Sequence, residues 1–278
     1  MRIAVTGATG MLGHDLVESL SPRHTVIGFS SADFDITDID KTLAMVADAR
    51  PDLLIHSAAN ANVDGCELNP EPAYQVNSLG TRNVALACAK IQAAMVYIST
   101  DYVFNGQKSG PYVEWDTPNP LNIYGRSKWW GEQLVTGLLT RFYIVRSSWL
   151  YGKNGGNFVD AIRRAAQSGR NPLRVVQDQV GSPTLTSDLA EKLAEVIEKE
   201  RYGTYHITNS GHCSWFEFAQ RIVELAGMTV DIQPIKSYEY PTPTARPSNS
   251  VLRNYVLELE RIALLRPWHE ALAQFIRS

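Results

Sequence analysis

The chain has 278 residues, 44% hydrophobic and 20% charged, with a formal net charge of −3 and a pI of about 6.1. That is a globular composition without a basic stripe, which argues against nucleic acid as a partner. No apolar run approaches the roughly 20 residues of a membrane span, and the N-terminal "MRIAVTGATG" turns to glycine too early for a signal peptide.

"RIAV" reads as a short buried strand and "MLGHDLVESL" as a helix with Leu12, Leu16 and Leu20 on one face. "HTVIGF" is a strand. "DIDKTLAMVADA" is a helix with Asp38 as candidate cap. "PDLLIHSAA" is a strand, "AYQVNSLGTRNVALACAK" a single helix, "AMVYIST" a strand. A helix around "YGRSK" and the strand "RFYIVRSS" follow. Strict alternation predicts an α/β, doubly wound parallel sheet of the Rossmann type over residues 1–150. Beyond it, helices at "NFVDAIRRAAQ", "LTSDLAEKLAEVIEKE" and "SWFEFAQRIVELAG" mix with short strands at "LRVV" and "GTYHIT", then a proline-rich "PTPTARPSNS". Residues 151–278 are expected to form mainly a smaller C-terminal substrate-binding lobe built onto the first, its elements interleaved with it. Cys66, Cys88 and Cys213 lack CxxC spacing. They read as reduced thiols of a cytoplasmic protein, and no metal site is assigned.

Two segments carry chemistry. After the first strand, Gly7, Gly10 and Gly13 have the spacing GxxGxxG. A strand, a glycine turn and a helix bring backbone close to a pyrophosphate and point free N–H groups at it. Gly7, Gly10, Met11, Leu12 and Gly13 are therefore candidate cofactor residues, with Ser30, Asp35 and Ile36 after the second strand. No Arg or Lys follows that strand at once, which favours NADH, or tolerance of NADH and NADPH alike. Asp35 stands either at the adenine or, like Asp33, as a turn cap.

The second segment joins Thr100, at the end of the fourth predicted strand, to Tyr124 and Lys128, which share a helix face four residues apart. A tyrosine holds its proton to a pH of about 10. A neighbouring ammonium is expected to lower that value. Tyr124 then serves as the proton donor to a carbonyl, Thr100 holds the same oxygen, and Lys128 bonds the nicotinamide ribose.

With these residues, "DFDITD", "SAANANVDGCE", "VNSLGTRNVA", "ISTDYVF", "YGRSKWWGE", "RSSWLYG", "DQVGSPT" and "RPSNSVL" make the chain similar, over nearly its whole length, to the dTDP-4-dehydrorhamnose reductases. These belong to the extended short-chain dehydrogenase/reductase family. The resemblance implies reduction of the 4-keto group of dTDP-4-dehydro-L-rhamnose, with Thr100, Tyr124 and Lys128 as catalytic residues. It also implies cofactor contacts at Ala58, Ala59 and Asn60, support from Asn77, and substrate contacts near Val63 and at Thr184. Where the family often has Tyr or Thr after "AA", this chain has Asn60, Ala61 and Asn62. Some members pair as homodimers through a magnesium site, for which no Mg2+ ligands are assigned here.

Trp149 lies either against the substrate's sugar or thymine ring or in the core. Arg246 suits a diphosphate by its guanidinium, or is a solvated loop residue. His206 reads as a structural residue. Other readings are a talose-forming 4-reductase, a dehydratase or epimerase on the same fold, and a non-catalytic subunit like that of methionine adenosyltransferase. A dehydratase needs Asp-Glu after the strand-end threonine; here Asp101 and Tyr102 stand there.

Overall fold

The computed structural model describes residues 1–277. The first half runs β1 (Arg2–Thr6), α1 (Met11–Leu20), β2 (Thr25–Phe29), α2 (Ile39–Ala49), β3 (Leu53–His56), α3 (Val63–Leu68), α4 (Pro70–Tyr74), α5 (Thr81–Ile91), β4 (Ala94–Thr100), α6 (Ile123–Leu138) and β5 (Phe142–Ser147). The second half adds β6 (Leu150–Tyr151), α7 (Phe158–Gln167), β7 (Leu173–Val176), β8 (Val180–Gly181), β9 (Thr184–Leu185), α8 (Thr186–Ile197), β10 (Gly203–His206), β11 (Cys213–Ser214), α9 (Trp215–Leu225), β12 (Ile232–Ile235), α10 (Tyr255–Leu259) and α11 (Trp268–Arg277).

Six strands form one sheet in the order β10-β5-β4-β3-β1-β2, every pair parallel. The strands are apolar on both faces because helices cover both. On one face Leu12, Leu16 and Leu20 of α1 meet Leu189 and Leu193 of α8. On the other, Val46 of α2, Val84 of α5 and Val135 of α6 pack together. Strand order reverses at β1, so a crevice opens beyond the carboxyl ends of β1 and β3, where such sheets bind ligands.

The sixth strand, β10, and the helix α8 come from the second half of the chain, so its backbone helps complete the sheet. The remainder gathers around Tyr151, Val159, Phe218 and Leu272 in a core of its own. Its helix α9 starts on a reciprocal cap: Ser214 Oγ accepts from Glu217 N at 3.1 Å while Glu217 accepts from Ser214 N at 2.7 Å. Asp38 caps α2 by accepting from Lys41 N at 3.1 Å, as expected from its place before the apolar period.

One predicted element differs. The single helix expected across "AYQVNSLGTRNVALACAK" is α4 and α5 joined by a π-helical segment, Gln75–Gly80. The wider turn frees the Asn77 carbonyl to accept from Thr81 Oγ1 at 2.8 Å and Tyr97 Oη at 3.3 Å. Such bulges are common near functional sites. Among the described residues no helix is long and apolar enough to cross a membrane.

Candidate active site

The glycine turn is built by contact as much as by torsion. Gly7 has φ +74°, and a Cβ there would lie 2.7 Å from the backbone nitrogen of Ala58. A Cβ on Gly13 would lie 2.0 Å from the Gly7 carbonyl oxygen. Glycine at both positions lets the loops after β1 and β3 close against each other and against α1. Gly10 caps α1 without a side-chain bond, so the first N–H groups of the helix carry no side-chain partner. In front of them lies a cleft of about 400 Å³ lined by Gly7, Gly10, Ser30, Asp35, Ile36, Ala58 and Ala59, with Thr9, Phe34 and Val76 among the others. Uncapped N–H groups, a helix N-terminus and close-approach glycines fit a cofactor pyrophosphate.

Several residues expected at the cofactor have side chains that are buried or already bonded. Leu12 is buried in the core. Met11 is half-buried, and Cβ atoms built on Gly152 and Gly155 would each lie 3.2 Å from it. Asn77 is fully buried and its amide is spent. Its Oδ1 accepts from Asn60 N at 2.8 Å, and its Nδ2 donates to Asn60 O and Ser127 Oγ, each at 3.0 Å. It holds the Asn60 loop against α6 and offers no free polar atom. Asp33 caps the turn after β2, accepting from Ser30 N at 2.7 Å and Ser30 Oγ at 2.8 Å. The Ser30 backbone bond, with its hydroxyl, holds that carboxyl below the usual range. Asp35 both lines the cleft and accepts from Thr37 N at 2.9 Å.

At the end of β4, Thr100 is 5% exposed and its hydroxyl contacts Asp101 Oδ1 at 3.0 Å. Helix α6 is capped by Asn122, which accepts from Gly125 N at 2.8 Å. Its next residues bring Tyr124 close enough to Thr100 for that hydroxyl to favour the ionised phenol. The glycine of "YGRSK" is required by packing: a Cβ on Gly125 would meet the Tyr102 carbonyl oxygen at 2.1 Å. Thr100 ends β4 and Tyr124 and Lys128 lie one helical turn apart on α6, which packs against that strand.

The relation between tyrosine and lysine differs from expectation. Burial pushes the Tyr124 phenol up; the Thr100 hydrogen bond lowers it, and Asp101, Tyr102 and Cys66 add to the rise. The Lys128 ammonium is not among the leading influences on it. Lys128 Nζ donates to Ile98 O at 2.6 Å and sits 4.1 Å from the centre of the Tyr97 ring. Burial pulls Lys128 down to about 7, and Glu132 works against that pull. Desolvation outweighs the pairing that spacing alone suggests. Glu132 is itself tied to Arg146 at 2.7 Å and to Ser99 Oγ at 2.5 Å in a buried ion pair.

The second half contributes a strap over the site. Asn122 Nδ2 donates to Ala245 O at 2.9 Å, and Thr244 Oγ1 donates to Val63 O at 3.3 Å. Arg246 is half-buried and engaged with other side chains. Its NH2 donates to both carboxylate oxygens of Asp64 at 3.0 Å and its NH1 to Tyr102 Oη at 3.4 Å. Tyr102 in turn meets Tyr124 edge to face at 6.0 Å.

Trp149 takes φ +48°, rare for a bulky residue, and stacks on Trp215 with ring centres 3.4 Å apart. It is half-buried, between the two expected placements. Thr184 is fully buried, and its Oγ1 donates to Ser182 O at 3.2 Å, inside the strand pairing of β6 and β9. His206 is buried, with Nδ1 3.2 Å from Arg253 O, in keeping with a structural part.

A family model described as RmlD substrate binding domain matches residues 1–278. The dTDP-4-dehydrorhamnose reductase of Mycolicibacterium smegmatis is 40% identical over 282 residues, covering 100% of this chain and 85% of that one. The chain belongs to the dTDP-4-dehydrorhamnose reductase family. The spore coat polysaccharide biosynthesis protein SpsK of Bacillus subtilis is 40% identical over 278 residues, covering 100% and 97% of the two chains. Among solved structures, the dTDP-4-dehydrorhamnose reductase of Bacillus anthracis str. Ames in complex with NADP is 42% identical with a TM-score of 0.97. The match covers 99% of this chain and 98% of that one. Asp101, Tyr102 and Asp64 touch the candidate residues Thr100, Tyr124 and Arg246, and sequence reading assigned them no part in the site. The first two lie in the quoted "TDYVF", but nothing in spacing alone connects Asp64 to Arg246, 182 residues away.

Proposed function

We propose that the chain reduces the 4-keto group of dTDP-4-dehydro-L-rhamnose to give dTDP-L-rhamnose, with NADPH or NADH as reductant. The observation that carries this reading is the nearness of Thr100 and Tyr124 at the carboxyl end of β4, with Lys128 one helical turn further on α6, in a chain matched end to end by its family. The bound nicotinamide supplies the hydride. Thr100 orients the substrate carbonyl through its hydroxyl, and Tyr124 gives that oxygen its proton. Burial suits Tyr124 to the task, since it keeps the phenol protonated until a more basic alkoxide oxygen develops. Lys128, held by the Ile98 carbonyl below the cleft, bonds the nicotinamide ribose.

Residues 1–150 serve mainly the cofactor and residues 151–278 mainly the substrate. Arg246 recognises the diphosphate, exchanging Asp64 for phosphate oxygens; Val63 and Trp149 border the sugar. The setting is the cytoplasm, and the working form is a homodimer, by analogy with members that pair through magnesium. The cluster His14, Asp15 and Glu18 on α1 has ligand atoms within 4.8 Å of one another. Its imidazole suits magnesium poorly, because that ion prefers oxygen donors, and no step is assigned to a metal.

Two other readings have less support. A non-catalytic subunit has no need of an intact Thr100, Tyr124 and Lys128, and a dehydratase lacks its second carboxylate at Tyr102. The test is incubation with dTDP-4-dehydro-L-rhamnose and NADPH, with absorbance loss followed and the product read by NMR. Coupling constants at C4 of the rhamnose configuration are expected; those of talose would overturn the assigned product, and no absorbance loss would overturn catalysis.

A further inference from the structure

Asp101 is the charged-type residue closest to the chemistry that the mechanism leaves unused. It opens the 3-10 turn Asp101–Val103 directly after Thr100 and is 3% exposed. Its Oδ1 lies 3.0 Å from Thr100 Oγ1. The Ser250 hydroxyl acts on the same carboxyl, yet Oδ2 finds no partner in hydrogen-bonding geometry. The titratable groups around it are Tyr102 on the same turn and Tyr124 on α6. Beyond them lie the Arg246–Asp64 pair, which reaches Tyr102, and Cys66 of α3, which faces Tyr124. No cation pairs with Asp101 directly. A buried carboxylate with an orphan oxygen and no cation is costly, and the neutral acid is the form that such a place favours.

We propose that Asp101 is the proton reservoir of the reduction, passing a proton through the Thr100 hydroxyl to Tyr124 once Tyr124 has protonated the substrate oxygen. This rests on the 4-keto reduction proposed above. With the carboxyl protonated, the 3.0 Å contact runs from Asp101 to the Thr100 oxygen. The carbonyl carbon gains hydride from the reduced nicotinamide, and its oxygen takes the Tyr124 proton as the phenol O–H breaks. The phenolate takes the Thr100 proton while the Asp101 proton replaces it. Asp101 is left as a carboxylate and regains a proton from water on product release, so one solvent proton is consumed per turnover. Asp101 acts through Thr100 and is a positioning residue for the proton.

Burial pushes Asp101 up to about 7, with Ser250 and Thr100 pulling it down. The reduction should therefore slow as pH rises through neutrality. Lys128 titrates in the same region, pulled down to about 7, so the pH profile of the wild type alone does not separate the two. Asp101→Asn does. It keeps the shape of the side chain but gives up no proton as an acid. The expected result is a fall in kcat of at least about tenfold, with substrate KM little changed and one inflection near neutrality lost. The wild type should show an infrared carbonyl stretch of a protonated carboxyl at neutral pH that this variant lacks. Ser250→Ala, which removes a hydroxyl favouring the carboxylate, should move the same inflection to higher pH and serves if the Asn variant does not fold. A wild-type kcat in Asp101→Asn, a lowered kcat with the inflection intact, or an inflection unmoved in Ser250→Ala would overturn the proposal. An inactive wild type would overturn the 4-keto reduction instead.

Discussion

The two sides of the cleft are made of different materials. The side proposed for the cofactor is backbone: a Cβ on Gly7 or Gly13 would lie 2.7 Å or 2.0 Å from neighbouring backbone atoms, and the helix above has no side-chain cap. The substrate side is side chains already engaged with one another. Arg246 is on Asp64 and Tyr102, Trp149 is on Trp215, and Asn122 is on the strap at Ala245. A backbone site is ready before its ligand arrives. A side-chain site has to exchange partners, and each exchange offsets part of what the ligand contributes.

Tyr124→Phe tests that division most severely. It deletes one oxygen from the side-chain half and leaves the glycine turn alone. The expected result is a loss of about 10²–10⁴-fold in kcat, the usual weight of general acid catalysis, with the Kd of NADPH unchanged by fluorescence titration. Turnover at the wild-type rate would remove Tyr124 from the mechanism.

Gly13→Ala is the converse test. The added methyl meets the Gly7 carbonyl oxygen at 2.0 Å, a backbone atom that does not swing aside as a flexible side chain does. Overpacking of this kind costs about 1–3 kcal/mol. It should appear as weaker NADPH binding and a lower Tm, with the substrate affinity of the folded fraction kept. Unaltered cofactor affinity would show that the turn is looser than its contacts imply.

The difference in material also decides what was legible in the sequence. The strand–turn–helix units were readable because glycine at Gly7, Gly10 and Gly13 and the leucines of α1 obey local rules of period and contact. The placement of Thr100 at a strand end and of Tyr124 and Lys128 on one helix was readable because strand-end and i, i+4 positions are local too. What was not legible depends on neighbours remote in sequence. The π segment at Gln75–Gly80 answers to Tyr97 and Thr81. Thr184 is turned inward by a carbonyl two residues away in a strand pairing that no period announces. The rise at Tyr124 comes from burial, a property of the assembled fold, and it reverses the direction that a bare Tyr–Lys pair suggests.

Arg246→Ala sharpens the comparison on the substrate side. A charge-assisted bond to phosphate contributes about 1.5–3 kcal/mol, but Arg246 must first leave a bidentate carboxylate at 3.0 Å. Truncation is expected to raise KM for the dTDP-sugar by about tenfold, and up to a hundredfold if Asp64 is released at little cost. The Kd of NADPH should stay fixed. Asp64→Asn separates the two costs: it should lower KM if the ion pair competes with the diphosphate, and raise it if the pair holds the strap in place. If neither constant moves in Arg246→Ala, the diphosphate is held elsewhere.

The smallest effect is expected where the backbone side does meet a side-chain choice, at the adenosine ribose. NADPH differs from NADH by one phosphate, and discrimination needs a cation to receive it. Among the described residues lining this cleft there is no Arg or Lys; Ser30, Ser31 and Asp35 stand after β2 instead. Ser30 is bonded to Asp33, whose carboxylate places negative charge at the same turn. Its hydroxyl can still serve either cofactor, because it both donates and accepts. NADH should therefore support turnover within about tenfold of NADPH in kcat/KM, a difference of about 1.4 kcal/mol. Asp33→Ser removes the nearby charge without altering the glycine turn, and it should tilt the ratio toward NADPH, more at low than at high ionic strength. A hundredfold preference for NADPH in the unaltered chain would mean that a cation from outside the cleft wall swings onto the phosphate. The cofactor side would then depend on side-chain rearrangement as the substrate side does.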